Sequence, residues 1–158
     1  EALDSGDILL QESFKIEEKD TTYSVLENKV SKQSTIMLEK VLNGFDDYLL
    51  NAKPQDEKKT TYSRLLKKTD GLIDWTCSAE HIERQIRAFS TWPGTYTFCN
   101  GKKLNIIASH VYDGESQEDS IGKILGKDNG ILISTGQGIL AIDELQWETK
   151  KSLNGKIF

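Results

Sequence analysis

The sequence predicts two unequal parts, a remnant of an α/β layer at the start and a small closed β-barrel at the end, joined by a basic linker. Three observations predict it. Residues 1–47 hold one strand-like run and one long helical period, with no second strand–helix unit to complete a sheet. Residues 48–72 lose that period and turn basic. From residue 73 a short helix leads into five apolar runs parted by glycine-containing turns.

In the first part, Ile-Leu-Leu-Gln-Glu-Ser-Phe-Lys-Ile at residues 8–16 reads as a strand, with Phe14 and Ile16 alternating with polar neighbours. Asp20 is placed to cap the helix that follows by accepting a hydrogen bond from a free backbone N–H. That helix sets Leu26, Val30, Met37 and Val41 near one face and stops at Gly44. A strand and a helix cannot close a sheet alone, so their partners are expected upstream. The chain opens Glu1-Ala2-Leu3 without an initiator methionine, which also reads as a piece of a longer protein.

Residues 46–72 then change character: Pro54, the polar run Gln55–Lys59 and scattered lysines read as an exposed linker. In the last part, Ser78 is placed to cap a short helix in which Ile82, Ile86 and Phe89 fall at i, i+4 and i+7. Glu80 with Arg84 and Glu83 with Arg87 form i,i+4 pairs in the favourable order, each contributing about 0.2–0.5 kcal/mol. Trp92-Pro93-Gly94 ends that helix. Strands are expected at 95–99, 103–112, 121–126, 131–135 and 139–146, with turns at Asn100-Gly101, Asn129-Gly130 and Gly136-Gln137-Gly138. A short helix with five short strands fits a small barrel of the oligonucleotide-binding (OB) type better than a sandwich with too few strands. Trp75 and Trp92 flank the helix and read as core, whereas Trp147 sits among charges and could stack on a base.

A net charge of −5 argues against a nucleic-acid binder only if charge is evenly spread. It is not. Residues 1–47 carry 11 acidic and 5 basic side chains, residues 48–71 carry 3 and 6, and residues 72–158 carry 11 and 9. Cys77 and Cys99 show neither metal spacing nor a disulfide framework and read as reduced thiols. His81 and His110 are far apart, so no metal site is expected. No apolar run approaches the roughly 18 residues that span a bilayer, and no signal-peptide pattern is present.

Three groups of residues carry a resemblance. Ala2-Leu3-Asp4-Ser5-Gly6-Asp7-Ile8-Leu9 resembles the Leu-Asp-Thr-Gly-Asp loop of the methionyl-tRNA formyltransferase family. Ile73-Asp74-Trp75, Ser78-Ala79, Ile86-Arg87-Ala88-Phe89 and Trp92-Pro93-Gly94 form a second match. Gly136-Gln137-Gly138-Ile139-Leu140, Leu145-Gln146 and Lys150-Lys151 form a third. Three positions depart from the pattern: Thr91 and Thr149 stand where the family usually has Pro and Gly, and Gly155 where it has Ala.

The resemblance implies a Rossmann-like formyltransferase domain ending near residue 47, a linker over 48–72 and an OB-like barrel over 73–158. It implies formyl transfer from 10-formyltetrahydrofolate to the amine of initiator methionyl-tRNA by a cytoplasmic monomer, with no part for DNA or a membrane. Of the family's catalytic Asn, His and Asp, only the Asp maps here, onto Asp4; the other two would lie upstream and the piece alone would be inactive. Leu3, Asp4, Gly6 and Asp7 would contact the folate. Arg64, Lys67, Lys68, Lys150 and Lys151 would contact tRNA phosphates, with Lys102-Lys103 the weakest candidates. Formyl transfer passes through a tetrahedral oxyanion and releases an amine proton, and a carboxylate that orients an imidazole serves that chemistry. From spacing alone, Asp4 and Asp7 would merely shape a turn and the lysines would be a solvated face. Two other readings remain open: a sugar-nucleotide formyltransferase of the same superfamily, and a non-catalytic RNA-binding barrel.

Overall fold

The computed structural model describes residues 4–115, 118–128, 130–148 and 150–155. Leu3, Asn129 and Thr149, named above, lie outside the described residues. The chain divides into two compact units, Glu1–Leu65 and Leu66–Phe158.

The first unit is helical and holds no sheet among its described residues. The strand expected at 8–16 is absent. Only Ile8 is bridged, exchanging backbone hydrogen bonds with Lys53 at 2.8 and 3.0 Å. The bridge is antiparallel, so residues 9–16 would have to pair with the chain before Lys53, and Phe45–Leu50 there is helical, its backbone groups already committed. Phe14 and Ile16 are therefore left exposed.

The helix begins one residue later than expected. Thr21, not Asp20, is the N-cap: its hydroxyl accepts from Ser24 N–H at 3.1 Å while Ser24 Oγ accepts from Thr21 N–H at 2.9 Å. The Asp20 carboxylate instead accepts from Glu17 N–H at 2.8 Å and pairs with the Lys29 ammonium. That ammonium holds the Asp20 carboxyl below its ordinary range.

Helix α1 (Thr22–Ser24) runs through a π-helical segment, Val25–Val30, into α2 (Ser31–Asn43). The wider π turn offsets the residues before it from the stripe after it. Val30, Met37 and Val41 are accordingly half-buried, whereas Leu26 is exposed. Gly44 caps α2, as its position predicts, but the chain restarts at once as α3 (Phe45–Leu50), so helix continues into the stretch read as linker. No described residue of this unit is buried.

The second unit carries the core. Ser78 caps α4 (Ala79–Ala88), its hydroxyl accepting from His81 N–H at 3.2 Å. Ala79, Ile82 and Ile86 of α4 are buried in one cluster with Leu104, Ile106, Ile131, Leu140, Ile142 and Leu145 of the sheet. Both predicted helix pairs form: Arg84 lies 3.4 Å from Glu80, and Arg87 lies 2.6 Å from Glu83. The helix ends at Ala88, before Trp92-Pro93-Gly94, and Gly94 N–H turns back to donate to Phe89 O at 3.1 Å.

The strands are β1 (Thr95–Cys99), β2 (Lys102–Tyr112), β3 (Ile124–Lys127), β4 (Ile131–Ser134), β5 (Ile139–Trp147) and β6 (Leu153–Asn154). All pairings are antiparallel, in the order β1-β2-β5-β4-β3. One edge of β5 is shared: β4 takes Ile139–Ile142 and β6 takes Glu144 and Leu145. The OB-like closed barrel is therefore corrected to an open sheet. Closure would pair β1 with β3, but β1 spends its outer edge on the incoming chain, Ile73 N–H donating to Tyr96 O at 2.9 Å. Strand β3 is only four residues long and begins later than predicted, because Ile121 and Gly122 are in a turn.

The Asn100-Gly101 turn is as predicted, with φ of 50° and 73° and Cys99 paired to Lys102. Both values are positive, which is what a two-residue hairpin turn of this type requires. One of the three tryptophans departs from expectation: Trp92 is half-exposed and not core. Trp147, which the sequence leaves open, packs against the core. Trp75 is core-packed as expected, its Nε1–H donating to Thr97 Oγ1 at 3.0 Å.

Candidate functional site

The candidate residues are spread over both units. In the first unit, Asp4, Gly6 and Asp7 lie in one exposed loop. Asp4 has φ of 57°, a left-handed conformation that Asp tolerates better than most residues. The loop is pinned from the far end of the unit. The amide of Gln55 donates to Asp4 O at 3.0 Å and to Gly6 O at 2.7 Å, next to the Ile8–Lys53 bridge. Sequence reasoning placed Gln55 in a solvated linker run; no spacing signal links it to a loop some fifty positions earlier. Beyond Gly6 the space is open, since a Cβ built there meets nothing within 4 Å. A flat ligand could reach this backbone.

The basic candidates are divided between the two units. Arg64 belongs to the first unit, and its guanidinium donates to Leu65 O at 3.2 Å. Lys67 and Lys68 begin the second unit, where Lys67 N–H donates to the Asp70 carboxylate at 2.7 Å and a 3₁₀ turn runs over Lys68–Gly71. Lys150 and Lys151 follow β5 and are exposed.

The structure brings Lys150 together with the pair that resemblance ranked lowest. Lys102, Lys103 and Lys150 line one depression at the tip of the β1–β2 hairpin, with Phe98, Trp147 and Glu148. The pairing of Leu104 with Trp147 brings the residue after β5 beside the start of β2. Strand register carries that proximity, and sequence spacing does not.

Several family-like motifs prove to be architectural. Gly136 N–H donates to Trp75 O at 2.8 Å and to Cys77 O at 3.0 Å, and Ala79 N–H donates to Gln137 O at 2.9 Å. The Gly-Gln-Gly turn thus straps the segment that enters α4 onto the β4–β5 hairpin. Asp74 shapes that same segment: its carboxylate accepts from Thr76 Oγ1 at 2.7 Å and Thr76 N–H at 3.0 Å, which holds the Asp74 carboxyl below its ordinary range. A Cβ at Gly71 would fall 2.0 Å from Gly94 O, so Trp-Pro-Gly closes against that turn. At Gly155 a Cβ would fall 2.1 Å from Ile142 O, so the backbone here is closer than an Ala would permit.

Among the described residues, no cluster of His, Cys, Asp or Glu is placed to hold a metal ion, and no helix is long and apolar enough to cross a membrane. His110 Nδ1 lies 2.9 Å from both Asp143 carboxylate oxygens, a surface pair on neighbouring strands.

This chain belongs to the formyl transferase C-terminal domain family, which matches residues 65–158. Curated relatives extend the likeness to the remainder. The chain is 45% identical over 161 aligned residues to a methionyl-tRNA formyltransferase of Treponema denticola, covering 98% of this chain and 50% of that protein. It is 34% identical over 164 aligned residues to a methionyl-tRNA formyltransferase of Lachnospira eligens, covering 100% and 51%. The chain thus spans about half the length of the curated relatives it matches. Among solved structures, HypX of Aquifex aeolicus in complex with tetrahydrofolic acid shares the fold. Its TM-score is 0.70 at 18% identity, over 96% of this chain and 27% of that one.

Proposed function

We propose that the protein carrying this chain transfers a formyl group from 10-formyltetrahydrofolate to the α-amine of methionine on initiator tRNA. The observation that carries this reading is the run of relatives named methionyl-tRNA formyltransferase, which align over the first unit as well as the second. A bare RNA-binding barrel gives no reason for the first unit to align with formyltransferases. A sugar-nucleotide acceptor is disfavoured by the same names. The folate-bound HypX structure, alike in fold, supports a folate donor in particular.

In this reading Asp4 is the carboxylate of the transfer site. Attack of the amine on the formyl carbon places negative charge on oxygen and leaves a proton on nitrogen. A carboxylate at the Asp4 position orients a neighbouring imidazole and stabilises its charged form as that proton moves. Gly6 leaves the loop backbone open to a flat pterin ring, with Asp7 next in the loop, and Gln55 fixes the carbonyls on either side of Ser5; Leu3 is assigned to the folate by resemblance alone. Arg64, Lys67, Lys68, Lys150 and Lys151 neutralise phosphates of the tRNA, a contribution independent of base sequence.

The test is formylation of methionyl initiator tRNA by the intact protein supplied with 10-formyltetrahydrofolate. Formyl transfer to the methionyl amine is the expected result. Transfer to a sugar-nucleotide amine instead, with methionyl-tRNA left unmodified, would overturn the proposal.

A further inference from the structure

The tip of the β1–β2 hairpin carries an exposed aromatic ring near several lysines. Along β1, Thr95 is buried, Thr97 accepts a hydrogen bond from core-packed Trp75, and Cys99 packs against the core. Alternation therefore sends Tyr96 and Phe98 to the other face. Phe98 is 58% exposed, yet its ring is braced edge-to-face by Tyr96 with centroids 5.8 Å apart. An exposed phenylalanine that is braced on one side and bare on the other loses little freedom when a flat partner covers it.

One ammonium is held as well, and a second lysine is held by its backbone. Lys103 Nζ sits 4.5 Å above the Tyr96 ring, an attraction that positions the ammonium while its N–H groups can still reach outward. Lys150 is fixed through its backbone: its N–H donates to Trp147 O at 3.0 Å, and its carbonyl accepts from the Gln146 amide at 2.6 Å. Lys102 follows directly on the tight Asn100-Gly101 turn. The depression they line with Phe98 also contains one acid, Glu148, so its balance is positive although the chain as a whole is acidic.

We infer that this hairpin tip is a stacking platform for an unpaired nucleotide of RNA. Phe98 takes the base, and Lys103, opposite it on the same face, and Lys150 take the adjacent phosphates. The inference rests on the RNA-binding reading above and adds to it a site for a single-stranded element. Every base offers a π-face, so an aromatic with flanking cations binds single strands with little sequence preference, whereas paired bases in a duplex are already stacked.

The test is binding of a labelled single-stranded oligoadenylate to the full chain, followed by fluorescence anisotropy beside a blunt RNA duplex of equal phosphate count. Phe98→Ala is expected to weaken single-strand binding by about 5- to 150-fold and to leave its salt dependence unchanged. Phe98→Trp should retain affinity. Lys150→Ala should lower the slope of log affinity against log salt by about 0.7 for the single strand. Because Phe98 is largely in solvent, the urea midpoint of each variant should match the parent, which separates lost contact from lost fold.

Equal binding of duplex and single strand, with Phe98→Ala changing affinity by less than about twofold, would reduce the tip to a phosphate contact and overturn the platform. Absence of any oligoadenylate binding would overturn it too. Neither result touches formyl transfer, which is read independently by formylation of methionyl-tRNA. Loss of that activity with oligoadenylate behaviour intact would sink the functional reading and leave the platform standing.

Discussion

Replacing Gly136 with Ala is the severest single-methyl change that the second unit offers at an exposed position. A Cβ there would lie 1.8 Å from Thr76 O and 2.6 Å from Thr76 C. Both are backbone atoms, so no side chain can swing aside, and the two segments must separate. Separation lengthens or breaks three hydrogen bonds: Gly136 N–H to Trp75 O and Cys77 O, and Ala79 N–H to Gln137 O. At roughly 0.5–1.5 kcal/mol each, the loss comes to about 2–4 kcal/mol. Urea unfolding followed by tryptophan fluorescence reads this directly, because Trp75, Trp92 and Trp147 all lie in the second unit. The midpoint should fall by about 0.7–4 M for a urea dependence in the usual range of ~1–3 kcal/mol per M. Gln137→Ala is the control. Only the backbone of Gln137 takes part in the strap, so its truncation should change stability by no more than about 0.5 kcal/mol. A Gly136→Ala protein within about 0.5 kcal/mol of the parent would refute the strap.

Ile82→Ala, at a fully buried position between helix and sheet, should cost about 2–5 kcal/mol in the same assay. The hydrogen bonds from Thr76 depress the Asp74 carboxyl in the folded state, so its stabilisation is present above the ordinary carboxylate range and is lost as pH falls through the lowered folded value. The urea midpoints of the parent and Asp74→Ala should therefore differ at neutral pH and converge in acid; a constant gap would assign the effect to packing. In the intact protein, Lys67→Ala and Lys68→Ala should each reduce the salt slope of tRNA binding by about 0.7–0.9, and an unchanged slope would return them to a solvated face. Asp4→Asn in the intact protein should lower turnover and largely spare tRNA affinity, whereas collapse of binding would make Asp4 structural.

The elements legible in the sequence are those whose signals are local. Ser78 with the Ile82–Ile86 spacing defined α4, and Asn100-Gly101 defined its hairpin, because capping and turn chemistry act within a few residues. What was misread depends on distant partners. The run at 8–16 has strand-like alternation but nothing to pair with beyond Lys53. Strand β6 is two residues long and exists only because the second half of β5 has a free edge. Barrel closure was inferred from the number of strands, whereas the open sheet follows from what occupies β1. At the candidate sites, the Asp4 loop was visible as a motif, but its tether to Gln55 was not. The cluster of Lys102, Lys103 and Lys150 becomes visible only once the register of β2 on β5 is known.

The bond from Ile73 to Tyr96, described above as the reason the sheet stays open, also bears on how this protein avoids itself. An open sheet has two outer strands, and each is a template on which another copy can add. At β1 the chain blocks that template with its own backbone, just before it enters the fold. At β3 no segment among the described residues does so; the strand is kept to four residues, preceded by Lys123 and ended by Lys127, and charge with brevity serves instead. Cutting the chain after Ile73 would therefore do more than remove a linker. It would unmask a sheet edge on which another copy can add.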